Sequence, residues 1–296
     1  MNKCLVFRPL GLIWGIPKKW KANMGFLVID KEKCKKDGIC TSVCPAGLIR
    51  LQGEEGYPAM IAGGEPACVS CGHCVAVCPH GALSHEHVPI QQCQDIKKEL
   101  TISKAQAWQF LRSRRSIRLY EDKPVERDKI QELIELARYA PTGGNSQLVE
   151  WLVFTNKDEI RELAGLTADW LRRQISEDIG TVRPYAPLVL AAWDAGYDGF
   201  LRNAPLLVVA SAPEATALGM VDLTISLSYL ELAAMKMGLG TCWAGFLQGA
   251  LLSWPPLQKA MRLPEGHIHH FPMMLGYPKA RYLRLPERKP PKITWR

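Results

Sequence analysis

Seven of the ten cysteines in this 296-residue chain lie in two blocks built on one ruler. The first reads Cys34-x2-Asp37-x2-Cys40-x3-Cys44-Pro45 and the second Cys68-x2-Cys71-x2-Cys74-x3-Cys78-Pro79. No other feature restricts the fold as much. Three thiolates from one short loop cap three corners of an iron–sulfur cubane, and where two such blocks occur the fourth thiolate of each reaches across to the other cluster. The two loops must then face one another. The crossed pattern assigns Cys34, Asp37, Cys40 and Cys78 to one cluster, and Cys44, Cys68, Cys71 and Cys74 to the other. Iron in these clusters prefers soft thiolate sulfur, and the proline after each last cysteine ends the loop.

Zinc is the rival ligand, but it rarely takes four cysteines so close in sequence with a second matching block. Disulfides suit small secreted domains, and no secretory signal is seen here. Asp37 is the departure, because a carboxylate is a harder ligand than a thiolate. Its site holds either [4Fe-4S] with an oxygen ligand or [3Fe-4S] with that corner lost; a degenerate site, with Asp37 an ordinary loop residue, is the remaining alternative. The all-cysteine set predicts [4Fe-4S]. Such clusters pass single electrons, so this part of the chain reads as an electron entry module. Oxygen-sensitive clusters and reduced thiols point to a cytoplasmic location.

The length suffices for two domains, and 47% hydrophobic residues support a core. The net charge of +8 comes with no helix-turn-helix, zinc-finger or RNA-binding pattern. Nucleic acid is therefore not expected as a partner, and the excess charge is read as serving bound phosphate and an acidic electron-donor protein. The apolar stretch Leu10 to Ile16, broken by Gly11 and Gly15, is too short to span a membrane. Met24 is expected to be the native start, or residues 1–23 a loosely held extension. Cys4 and Cys93 have no obvious partner. The expected layout is an extension (1–23), a cluster domain (24–90), a linker (91–107) and a second domain (108–296).

In the second domain the pattern predicts a helix from about Ala105 to Leu111. It predicts another over Glu126 to Ala140, with Ile130, Leu133, Ile134 and Ala137 on one face and Pro141 as the stop. Strands are expected at Val149 to Phe154, Pro205 to Ser211 and Phe271 to Leu275. Met220 to Met237, interrupted by Asp222, Glu231 and Lys236, reads as a buried core helix. Three further segments carry chemistry. Arg114-Arg115-Ser116-Ile117-Arg118 offers guanidinium and hydroxyl donors to a phosphate monoester, or is a solvated face. Ala140 to Gln147 (APTGGNSQ) lets backbone amides approach a planar ligand, or merely ends a helix. Gly238 to Gly245 (GLGTCWAG) presents N–H groups to a ring edge, or is a tight helix exit. No GxGxxG follows a strand and no GxxxxGK[ST] is present, so neither dinucleotide nor P-loop binding is supported.

Together these segments, with RNAPLLVVASA (202–212) and the tail GYPKARYLRLPERKPP, resemble the FMN-dependent nitroreductase family over about residues 108 to 296. The cysteine blocks resemble two-cluster bacterial ferredoxins, and the whole chain is similar to the ferredoxin-fused branch of the nitroreductases. The resemblance implies an α+β chain of two domains: a small ferredoxin-like domain, then a central, mostly antiparallel sheet flanked by helices. It implies a homodimer with FMN at the interface. Arg114, Arg115, Ser116 and Arg118 would contact the FMN phosphate, ribityl chain or ring carbonyls. Pro141, Thr142, Asn145 and Ser146 would lie along the ribityl chain and ring. Backbone amides near Ala244 and Gly245 would face flavin N5, and Arg288 and Lys289 would complete the phosphate site. After Gln147 this chain has Leu148-Val149 where the family often has Pro-Trp, which changes one wall near the ring.

The segment from Trp170 to Phe200, with Tyr185, Trp193 and Tyr197, is either a lid over the flavin or a set of core and dimer contacts. No side chain is assignable as a catalytic acid or base, so the chemistry is that of flavin N5. Cys242 has no assignable base and reads as a small hydrophobe, while His267, His269 and His270 read as structural. The expected function passes electrons from reduced ferredoxin or NAD(P)H through the clusters to FMN and on to a small acceptor such as a nitro compound or quinone. The alternatives are a flavin-fragmenting or dehalogenating relative, or an electron carrier or redox sensor without turnover.

Overall fold

A computed structural model describes residues 25–54, 56–178 and 184–296. The expectations for residues 1–23, including Cys4, and for Met24 lie outside these residues. The described chain divides into two compact units. One holds residues through Thr101 together with Gly144–Ser146; the other holds Ile102–Gly143 and Gln147–Arg296.

The N-terminal unit is a duplicated motif. Its elements are β1 (Leu27–Ile29), α1 (Ile39–Ser42), β2 (Ile49–Gln52), β3 (Tyr57–Met60), α2 (His73–Ala76) and β4 (Leu83–His85). β1 pairs with β4 and β2 with β3, both antiparallel. Each cysteine of the second block follows its counterpart by 34 positions (34→68, 40→74, 44→78), and the backbone repeats at the same interval. Gly38 and Gly72, one residue before α1 and α2, share a left-handed φ of 72°, a conformation open to glycine at no steric cost. Lys36 and Ser70 take positive φ at equivalent places (59° and 50°). Buried Cys40, Ile49, Val75 and Leu83 form the core, with Leu27, Ile29 and Ile90 against it.

The C-terminal unit contains α3 (Lys104–Ser113), α4 (Arg127–Ala137), β5 (Glu150–Phe154), α5 (Lys157–Ser176), α6 (Ala186–Asp194), β6 (Leu206–Ala212), α7 (Gly219–Lys236), β7 (Gly240–Trp243), α8 (Gly245–Ser253), α9 (Pro255–Met261) and β8 (His269–Gly276). The strands form one antiparallel sheet in the order β5-β6-β8-β7. Helices cover both faces. Leu207 and Val209 of β6 pack with α5, α8 and α9, while Leu206, Val208, Ala210 and Ala212 pack with α4 and α7. Burial on two sides explains why β6 is an unbroken apolar run rather than an alternating one.

Local chemistry sets several boundaries. Ser103 and Gln106 form a reciprocal capping box at the start of α3, which satisfies two orphan donors at once. α4 ends at Ala137, short of the expected Ala140. Its chain tightens into i,i+3 bonds (Tyr139 N–H to Leu136 O, Ala140 N–H to Ala137 O) ahead of Pro141, which disfavours helix in the residue before it. α5 was not anticipated. It starts at Asn156, whose side chain accepts the Asp158 and Glu159 amides, and it buries Ile160, Leu163, Ala164, Thr167, Ala168 and Leu171 on one helical face. Gly240 opens β7, where a tight helix exit had been one reading. Among the described residues no helix is long and apolar enough to cross a membrane.

Candidate functional site

In the N-terminal unit the two cysteine loops line two separate cavities. Cys34, Asp37, Cys40 and Cys78 line one; Cys44, Cys68, Cys71 and Cys74 line another. These are the two groups of residues that the crossed pattern expects to meet. The donors are mostly soft thiols, drawn to each cavity from both loops, and this donor set fits iron–sulfur clusters.

The repeat extends to the hydrogen bonds. Leu48 N–H donates to Cys44 Sγ and Ala82 N–H to Cys78 Sγ, both at 3.3 Å. Burial pushes the Cys40 thiol up and the Cys74 thiol up to about 11. Metal loading must therefore drive proton release from these groups. The symmetry breaks at Asp37, which stands where the second block has Cys71. Its Oδ1 accepts the Ile39 amide (3.1 Å) and its Oδ2 lies 3.8 Å from His80 Nε2.

In the C-terminal unit the phosphate-binding candidates sit beside β7. Ile117 N–H donates to Thr241 O at 2.8 Å, and a Cβ on Gly240 would lie 2.3 Å from Ile117 Cγ1. Only glycine permits this close approach of the arginine segment to the strand. Arg112 pairs with Glu287 (3.1 Å) and the Arg115 guanidinium lies 5.5 Å from the Tyr282 ring centre. These contacts bring the tail segment preceding Arg288 and Lys289 alongside the arginine cluster. Ser116 and Arg118 lie near Cys242, whose thiol is pushed up by burial against the pull of Arg118 and Arg202.

Two buried acids of α7, Asp222 and Glu231, hold this region together; in the sequence they stand only as interruptions of an apolar helix. Glu231 Oε1 accepts Arg114 Nη1 (2.9 Å) and Thr241 Oγ1 (3.2 Å), and its Oε2 accepts Trp243 Nε1 (3.2 Å). Asp222 Oδ1 accepts the Gly143 amide at 2.9 Å, fixing the glycine-rich turn to α7. The available signal was the pair of acids in an otherwise apolar helix, since a buried carboxylate requires partners.

The glycine-rich turn is further ordered by the Gln147 amide donating to Thr142 Oγ1 (3.0 Å). Asn145 takes a positive φ of 56°, and it and Ser146 group with the N-terminal unit. Pro141 is exposed. The Ala244 amide is committed to Pro272 O at 3.0 Å. The amides open to a ligand there are those of the first turn of α8, beginning with Gly245, which lack intrahelical partners.

Trp193 and Phe200 form an edge-on pair (5.8 Å), Phe200 stacks edge-on with Phe246 (5.5 Å), and Trp170 packs against the same core. Tyr185 and Tyr197 are exposed. His267 Nδ1 meets Ser211 Oγ at 2.9 Å and His270 Nδ1 meets Gln248 Oε1 at 3.2 Å, the local pairing expected of structural histidines.

The family model "Nitroreductase family" matches residues 111–277, and a 4Fe-4S dicluster domain model matches residues 23–82. A polyferredoxin of Methanothermus fervidus is 38% identical over 65 residues, 22% of this chain and 14% of that protein. The cluster blocks thus span a small part of that relative. An FMN reductase [NAD(P)H] of Bacillus subtilis is 25% identical over 193 residues, 60% of this chain and 67% of that protein. A crystal structure of a nitroreductase with bound FMN from Bacteroides fragilis shares the fold, with a TM-score of 0.52 and 20% identity, over 65% of this chain and 98% of that one.

Proposed function

The chain belongs to the nitroreductase family and carries a dicluster domain, and we propose that it is an FMN-dependent oxidoreductase that draws electrons from an external one-electron donor through its clusters to FMN and on to a small organic acceptor. The observation that carries this reading is the pair of cavities lined by crossed cysteine sets in the same chain as the family's fold. When bound, clusters carry single electrons and flavin accumulates two for delivery from N5; that chemistry belongs to the cofactors.

The protein's part is to bind and to place. Arg114, Arg115, Ser116 and Arg118, with Arg288 and Lys289, form the phosphate and ribityl side of the FMN site. Glu231 fixes the position of Arg114, and the helix end at Gly245 supplies amides to the ring. Pro141, Thr142, Asn145 and Ser146 border the ribityl chain and ring. Cys34, Asp37, Cys40 and Cys78 hold one cluster, [4Fe-4S] or [3Fe-4S]; Cys44, Cys68, Cys71 and Cys74 hold a [4Fe-4S] cluster. The working domains are residues 24–90 and 108–296, joined by 91–107. Exposed Val221 and Tyr229 on α7 support a homodimer, and reduced ferredoxin or NAD(P)H is the donor class.

Anaerobic stopped-flow reduction of the FMN tests the electron route. Reduced ferredoxin should reduce the flavin rapidly, NADH slowly, and variants Cys71→Ser and Cys74→Ser should abolish the ferredoxin reaction. Fast direct reduction by NADH that is indifferent to cluster loss would overturn the route and leave the family chemistry standing.

A further inference from the structure

The 34-residue repeat makes each cluster loop a control for the other, and one contact has no counterpart. His85 closes β4, opposite Leu27 on β1, and is 2% exposed. Its Nε2 lies 3.5 Å from Cys68 Sγ, a normal separation for a sulfur acceptor. Its Nδ1 accepts the backbone amide of His87 at 3.0 Å. That bond occupies the Nδ1 lone pair, so the ring proton sits on Nε2 and points at the sulfur. The Phe26 ring, edge-on at 4.6 Å between centres, holds the imidazole in this orientation.

The equivalent position in the first repeat, 34 residues earlier, is Leu51. It is 46% exposed, has no donor, and is absent from the lining of the first cavity. The histidine that does line that cavity, His80, faces the Asp37 carboxylate rather than a thiol. The backbone N–H···S bonds of Leu48 and Ala82 are matched between the repeats and cancel in the comparison. The His85–Cys68 contact therefore distinguishes the two sites.

We infer that His85 is a positioning and tuning residue: its Nε2–H donates to Cys68 Sγ and raises the reduction potential of the cluster held by Cys44, Cys68, Cys71 and Cys74. The inference rests on the reading of those four cysteines as cluster ligands. One-electron reduction adds negative charge that is shared with the thiolate sulfurs. A fixed N–H dipole aimed at one sulfur stabilises the reduced form more than the oxidised form, and hydrogen bonds to sulfur are among the factors that set these potentials. No proton moves in the step; the only change is the added electron.

The test uses the full chain, purified anaerobically with iron and sulfide quantified, and titrated at fixed pH with EPR detection. His85→Leu places at 85 the residue that stands at 51. Its one-electron reduction equilibrium should fall about tenfold, which is about 59 mV, for the cluster signal that Cys71→Ser eliminates; the other cluster should not move. His85→Gln, which keeps an amide donor, should shift less. Unchanged potentials, or a shift confined to the other cluster, overturn the inference. If His85→Leu assembles no cluster, wild-type protein with 15N-labelled histidine decides: pulsed EPR should detect a histidine nitrogen coupled to the reduced cluster, and its absence overturns the inference. If wild-type protein, loaded anaerobically, lacks iron and sulfide at the Cys68 site, the cluster reading itself fails, and this inference with it.

Discussion

Glu231 supports the sharpest stability prediction. Glu231 is 5% exposed, and its carboxylate accepts three donors from two segments: Arg114, and Thr241 and Trp243 of β7. Glu231→Ala removes the acceptor and strands all three. A fully buried pair broken on one side costs about 3–5 kcal/mol. The Arg114 side chain is 26% exposed, so water replaces part of the loss, and about 1–2 kcal/mol is the better figure for that contact. The Trp243 N–H and Thr241 hydroxyl add about 1 kcal/mol each as buried donors without partners. The expected destabilisation is about 3–4 kcal/mol for alanine. Glu231→Gln keeps one acceptor oxygen but turns an NH2 toward existing donors, for about 1–2 kcal/mol. Urea unfolding of flavin-free, cluster-loaded protein, followed by far-UV circular dichroism, reports mostly on the helical C-terminal unit and avoids ligand linkage. An alanine variant within about 1 kcal/mol of wild type, or a glutamine variant less stable than the alanine one, refutes the account of Glu231 as the organising acceptor.

Three further outcomes follow from the same geometry. Gly240→Ala sets a Cβ against Ile117 and should cost about 1–3 kcal/mol; Ile117→Ala in the same chain should recover part of it, and strictly additive melting shifts would count against the clash. Burial holds the His270 pKa below its ordinary value of 6.5, so the unfolded chain binds the extra proton first. Stability should be full above pH 6.5 and decline as the pH falls toward the folded pKa, with a slope of at most about 1.4 kcal/mol per pH unit from this group; His270→Phe should flatten that part of the stability profile, and an unchanged profile would point to other groups. Asp37→Cys completes the first thiolate set and should bring the chain to about eight irons, the content of two four-iron clusters; an iron analysis that stays near four would mean the first cavity holds no cluster.

Sequence was most informative where chemistry is written in short spacings. The cysteine ruler specified which thiols meet across two loops, because a cluster tolerates few loop geometries and the ligands recur within a dozen residues. α4, β6 and α7 were legible for a related reason: α4 has a periodic apolar face, β6 and α7 are nearly continuous apolar runs, and both patterns are local properties. The missed elements depend on distant partners. β7 is four residues long with a glycine at its head, and it becomes a strand because β8 pairs with it and Ile117 covers Gly240. Glu231 and Arg114 are 117 positions apart, and Asp222 and Gly143 are 79 apart. No window of sequence contains either pair. What sequence did carry was an imbalance: acids inside an apolar helix, and three arginines clustered in five residues. Each is costly unless the fold brings it a partner, and joining the two would have predicted the Arg114–Glu231 contact.

The repeat adds a different argument about what identical spacing leaves open. The two blocks share glycines, positive-φ residues and amide-to-sulfur bonds at a constant offset of 34 positions. A common backbone therefore builds two cradles of one shape. The differences between them are carried by side chains, among them Asp37 against Cys71 and Leu51 against His85. A change at Asp37 alters what the cradle can hold, because it replaces a donor atom. A change at His85 alters only the electrostatics around a donor that stays in place. Iron content should therefore respond to position 37 and be silent at position 85, while the reduction potential of the Cys68 cluster should respond at 85. Measuring both quantities on both variants separates these roles, and potentials unchanged in His85→Leu would refute the one assigned to His85.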